Sequence, residues 1–229
     1  MKTPLFFCYF IVLLFSVNYS NAQDWPNLNR YKDENAKVPV LSSKDHSRVV
    51  FMGNSITEGW INKRPEFFNA KKYINRGISG QTTPQMLLRF RQDVIALKPS
   101  VVVILAGIND IAQNTGPYTI EATSGNIFSM CELAKQNGIK AIICSVLPAF
   151  DFPWKPGLEP AQKVIQLNNV LKAYAEQHKL LYVDFFSAMV NEQMGLKKEL
   201  GTDGVHPNEA GYAIMEPILE KAIFKALKK

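Results

Sequence analysis

Six consecutive apolar residues, Val101–Ala106, form the most apolar run beyond residue 22, and they stop at Gly107. A strand wet on one face alternates apolar and polar side chains. A run with no polar member suits a strand covered on both faces, which places it in a parallel sheet with helices above and below. The rest of the chain agrees. Short strand-like runs recur at Val49–Met52, Lys72–Asn75, Lys140–Ser145 and Leu180–Asp184. Between them apolar residues recur at helical spacing. One such stretch starts at Thr82 or Thr83, with Pro84 in its first turn, and runs through Lys98. Others cover Ile120 to Gln136, Pro160 to Lys179 and, after Asn208 as cap, Glu209–Lys228. Alternation of this kind predicts one three-layer α/β/α domain around a parallel five-stranded sheet.

In a parallel sheet every strand points the same way, so residues just past the first three strands gather on one edge. Open α/β sheets place their ligands there. Val49–Met52 runs into Gly53-Asn54-Ser55, with Thr57 and Gly59 following. Glycine permits a tight turn at the strand exit and leaves Ser55 at the carboxyl end of the sheet. The second strand is followed by Gly77 and Gly80, and the third by Gly107-Ile108-Asn109-Asp110.

A serine becomes a nucleophile only with a base beside it. The chain has three histidines. His46 precedes the first strand at its amino end. His178 falls at a helix end, where a cation favours the macrodipole. His206 lies in the loop Gly201–Pro207, three residues after Asp203, a carboxylate able to fix its tautomer and stabilise the imidazolium. Ser55, Asp203 and His206 are therefore the candidate catalytic residues. An acyl-transfer intermediate also needs donors aimed at its oxyanion. The backbone N–H groups of Ser55 and Gly80 and the side-chain amide of Asn109 are the candidates.

Gly53-Asn54-Ser55, Gly80, Gly107-Ile108-Asn109-Asp110 and Asp203-Gly204-Val205-His206, in that order, resemble the four blocks of the SGNH (GDSL) hydrolase family. The resemblance runs from Val49 to Gly211. It implies a flavodoxin-like sheet, Ser55 as nucleophile, Gly80 and Asn109 as oxyanion donors, and Asp203 with His206 completing a triad. Asn54 stands where the family name has aspartate, a position outside the triad. The α/β-hydrolase elbow, G-x-S-x-G, would need glycine where Thr57 stands.

These readings imply a serine esterase acting on short acyl esters, acetyl above all, on carbohydrate. A lysophospholipase or thioesterase is the alternative within enzymes, and a non-catalytic carbohydrate-binding protein the alternative outside them. No cofactor and no metal are expected, because one histidine per region forms no ligand cluster. The aromatic loop Phe150–Trp154 is placed either to stack a sugar ring or to cap the core.

The first 22 residues look like an export signal. Lys2 precedes the apolar stretch Leu5–Val17, and Ser20-Asn21-Ala22 offers small residues before a cut after Ala22. A stretch of thirteen residues, all but Ser16 apolar, is too short for a membrane span of about 20 residues. Residues 23–45 are polar, contain Pro26 and Pro39, and read as an extended arm pinned by Trp25 and Tyr31. Residues 46–229 are the catalytic domain. A formal charge of +6 is spread along the chain, with a cluster only at Lys225–Lys229. No basic stripe interleaved with aromatics argues for nucleic acid. Nothing in the sequence sets an oligomeric state. Cys131 and Cys144 remain beyond the signal and are expected as buried free thiols.

Overall fold

The computed structural model describes residues 23–42 and 45–228, so the expected export signal at residues 1–22 lies outside the described residues. In chain order the elements are α1 Lys32–Ala36, β1 Val49–Gly53, α2 Ser55–Lys63, α3 Pro65–Asn69, β2 Ile74–Gly77, α4 Thr83–Asp93, β3 Val101–Leu105, α5 Ile108–Ile111, α6 Ile120–Gln136, β4 Lys140–Cys144, α7 Pro160–Gln177, β5 Leu181–Val183, α8 Phe186–Met189 and α9 Glu209–Lys228. The strands form one sheet in the order β2-β1-β3-β4-β5, every pair parallel. This is the flavodoxin-like order, with its switch point between β1 and β3.

β1 and β3 are buried at every residue, as their unbroken apolar sequences require. Phe51 packs edge-on against Trp60 and Phe68, and Trp60 stacks on Tyr212 of α9 at 5.2 Å. Cys131 and Cys144 are free and buried, and burial drives both thiols upward, Cys131 to about 12. Among the described residues no helix is long and apolar enough to cross a membrane.

The strand ends are in register. Gly53 of β1 pairs with Gly77 of β2 on one side and with Leu105 of β3 on the other. The segments that follow these three residues therefore leave the sheet on one line.

The structure differs from the sequence reading at several places. β2 starts at Ile74 rather than Lys72, because Lys72 takes a left-handed turn (φ 54°) out of α3. α4 ends at Asp93 rather than Lys98. A single 3₁₀ turn follows and Lys98 is left-handed, since the residue before Pro99 is barred from helix. The arm is not wholly extended: it contains α1, whose five residues bury no side chain and so leave no apolar period to read. Finally, Tyr31 is buried, whereas Trp25 is 40% exposed. Tyr31 anchors the arm by packing, with Val38 also against the core, and Trp25 contributes its carbonyl, which accepts from Gln85 Nε2 at 2.8 Å.

Candidate active site

The turn from β1 into α2 is built by close approach. A Cβ on Gly53 would lie 2.0 Å from Thr57 Oγ1 and 2.9 Å from the Leu105 carbonyl, so no other residue fits. Asn54, buried, caps α2 by accepting from the Ile56 amide at 3.0 Å. Ser55 is the first residue of the helix and half-buried. Its N–H belongs to the opening turn, where no intrahelical acceptor exists.

His206 reaches this serine from the other end of the chain. Its Nε2 lies 2.9 Å from Ser55 Oγ, across 151 positions of sequence. Its Nδ1 lies 2.7 Å from Asp203 Oδ2. The loop is tied to itself: Asp203 Oδ1 accepts from the Val205 and His206 amides at 3.0 and 2.8 Å, and the Thr202 amide donates to the His206 carbonyl. Burial by itself would raise the Asp203 carboxyl. The His206 amide and ring, with the Val205 amide, outweigh it and hold the group below the usual carboxylate range. An ionised Asp203 accepts only, which places the proton on Nδ1 and the lone pair of Nε2 toward Ser55.

The segment after β2 carries Gly80 at φ 77°, with open space where a Cβ would stand. No acceptor among the described residues takes its N–H. The neighbouring backbone is tethered. Asn109 Nδ2 donates to the Gln81 carbonyl at 3.0 Å, and Asn114 Nδ2 to the Gly80 carbonyl at 3.2 Å. The segments holding Gly80 and Asn109 are thus joined directly. Asp110 caps α4 from α5, accepting from the Thr83 amide at 3.1 Å and from its hydroxyl. Burial pushes the Asp110 carboxyl up to about 6 against those bonds.

Several residues of the site escaped the sequence reading. Arg89 is wholly buried. It donates to the Gly53 carbonyl at 3.0 Å and to Gln81 Oε1 at 2.6 Å, and pairs with Asp93 at 3.0 Å. It therefore binds the ends of β1 and the Gly80 segment together. Its signal was a charge on the apolar face of α4, beside Met86 and Phe90. In the aromatic loop the residues divide between core and surface. Phe152 is fully buried, whereas Phe150 and Trp154 are 60% and 46% exposed. Trp154 stacks on Phe152 and has its ring centre 5.8 Å from that of His206. Lys155 fastens the loop to the carbonyls of Ala112 and Gln113, just past α5.

Residues 51–214 match the model of the GDSL-like Lipase/Acylhydrolase family. The chain belongs to this family. Membership makes its chemistry carboxylic ester hydrolysis. Two solved structures are 51% identical to it. An acylhydrolase-assigned protein of Bacteroides fragilis aligns over 90% of this chain and 99% of its own, with TM-score 0.87. A GDSL-like lipase of Bacteroides thetaiotaomicron aligns over 88% and 98%, with TM-score 0.85. An acetylxylan esterase of Xylanibacter ruminicola is 28% identical over 79% of this chain, which spans only 44% of that relative's length. An acetylxylan esterase of Geobacillus stearothermophilus is 30% identical over 63% of this chain and 68% of its own. The departure of this GDSL-like chain from the family's name, Asn54 for aspartate, falls on the helix cap, a task asparagine performs as well as aspartate.

Proposed function

We propose that the protein is an exported esterase that removes short acyl groups, chiefly acetyl, from carbohydrate. Residues 1–22 would direct export, residues 23–45 form an arm, and residues 46–229 hold the catalytic domain. Ser55 is the nucleophile, His206 the base and Asp203 the residue that orients and supports the imidazole. The amides of Ser55 and Gly80 and the side chain of Asn109 receive the oxyanion. The reading rests above all on the unbroken hydrogen-bonded chain from Ser55 Oγ through His206 to Asp203.

The steps follow from that chain. His206 Nε2 takes the Ser55 proton as Oγ attacks the ester carbonyl. Negative charge on the carbonyl oxygen is met by neutral donors fixed beforehand, which lowers the barrier without solvent reorganisation. The imidazolium returns its proton to the departing alcohol. Water then enters, loses a proton to His206 and attacks the acyl-enzyme. Ser55 leaves with that proton and the free acid departs.

Acetyl and carbohydrate are favoured by the acetylxylan esterases among the relatives and by the exposed face of Trp154 beside His206. A p-nitrophenyl ester series from acetate to long chains tests the acyl part. Turnover is expected to be greatest at acetate and absent in Ser55→Ala, which stays folded. A long-chain optimum would shift the assignment to a lipid or thioester acylhydrolase, and undiminished turnover in Ser55→Ala would remove the nucleophile.

A further inference from the structure

The segment Gly77–Gln81 is held from the protein side by α2, α4 and α5. Glu58 Oε2 of α2 accepts from the Ser79 amide at 2.9 Å and from its hydroxyl. Arg89 grips the Gln81 side chain, and Asn109 the Gln81 carbonyl. The N-terminal arm contacts the segment at its two ends. The Tyr31 hydroxyl donates to the buried Gly77 carbonyl, where β2 ends and the segment begins. Gln81 Nε2 donates to the Pro26 carbonyl at 2.8 Å. Arg30 lies 3.4 Å from Glu58 Oε1, the second oxygen of the carboxylate that holds Ser79.

Tyr31 is held by two cations. The guanidinium groups of Arg30 and Arg76 sit 4.7 and 4.6 Å from its ring centre. Arg76 is in turn held by Asn35 of α1 at 2.8 Å. The Tyr31 hydroxyl is thus fixed against the Gly77 carbonyl, three residues before Gly80.

We propose that the arm is a working part of the active site, with Tyr31 a positioning residue that aims the Gly80 amide at the oxyanion. The proposal rests on the reading of Gly80 as an oxyanion donor given above. Donors of this kind act only when their direction is set in advance, and losing one altogether costs about 10²–10³ in kcat. Loosening one costs less.

The test is Tyr31→Phe in the full chain, which keeps the ring and removes the hydroxyl. With p-nitrophenyl acetate, kcat is expected to fall about tenfold, with KM within about twofold. Affinity for methylboronic acid, whose adduct with Ser55 puts an oxygen where the oxyanion forms, should weaken by about the same factor. Arg30→Ala removes the second strut from an exposed position and serves if the tyrosine variant folds poorly; a drop of about threefold in both readouts is expected. Unchanged kcat and boronate affinity in either folded variant, even with a lower Tm, would reduce the arm to a packing role and overturn the proposal, as would a rise in KM alone. Ser55→Ala separates this from the site assignment: a dead Ser55→Ala beside an unaffected Tyr31→Phe removes only the role of the arm, whereas an active Ser55→Ala removes both.

Discussion

The phenol of Tyr212 donates a hydrogen bond to the carbonyl of Ile56 at 2.8 Å. Ile56 follows Ser55, and Tyr212 lies six residues past His206, so this bond ties the helix that starts at the serine to the helix that follows the histidine. Around it Tyr212 stacks on Trp60, and Arg64 forms a two-pronged pair with Glu216 at 3.0 and 3.1 Å. Tyr212→Phe keeps the stack and loses the bond. It should cost about 1 kcal/mol, read as a Tm lower by about 2–4 °C. kcat should fall severalfold, because the Ser55–His206 separation is no longer fixed at both ends.

Asp203→Asn preserves size but replaces an acceptor facing His206 Nδ1 with an amide that can donate to it. The imidazole then favours the tautomer with its proton on Nε2, toward Ser55. kcat for p-nitrophenyl acetate should drop by on the order of 10⁴, with Tm little changed. A loss under tenfold would mean that Asp203 orients the ring without deciding its tautomer.

Asp110 makes stability depend on pH in a direction opposite to most carboxylates. Its folded group titrates at about 6 and its ordinary value is 3.8. Between those values the folded state keeps a proton that the unfolded chain has lost, so stability is greatest below about pH 4 and declines as pH rises to 6. The decline attributable to this group is roughly 3 kcal/mol. Asp110→Asn stays neutral throughout. The difference in unfolding free energy between wild type and variant should therefore move by about that amount between pH 4 and 7, measured by urea titration at each pH. Asp203, held below the usual range, acts elsewhere: its contribution is kept above its ordinary value and lost in stronger acid.

Trp154→Ala should separate sugar esters from simple ones. The indole is held by Phe152 on one side and presents its free surface beside His206. An aromatic contact of this kind contributes about 0.5–1.5 kcal/mol, so kcat/KM for an acetylated methyl xyloside should fall up to about tenfold. Ethyl acetate, which has no ring to stack, should be hydrolysed within about twofold of the wild-type rate, and Trp154→Phe should recover most of the loss. Equal losses on both esters would show that Trp154 holds His206 in place instead.

How far the sequence could be read depended on the range of the interaction involved. Val101–Ala106 announced a central strand because burial on two faces leaves no room for a polar residue. The α6 boundaries were legible at both ends, since helical spacing and the Asn137-Gly138 stop are local. β2 and the end of α4 were misplaced by a few residues, where a left-handed lysine in each case redirected the chain. Arg89 and Tyr31 were out of reach as site residues, because each acts on backbone carbonyls that sequence does not display: Arg89 on Gly53, Tyr31 on Gly77.

By itself the sequence determined the layers, the parallel sheet and the set of candidate groups, because apolar spacing, glycine exits and the Asp203–His206 interval are properties of short stretches. Tertiary structure alone decided that Gly53, Gly77 and Leu105 end in register, that α9 carries the His206 loop back over α2, and that the arm closes on the Gly80 segment. These are contacts between segments 24 to 156 residues apart. No local pattern encodes them; they follow from burying the sheet on both faces at once.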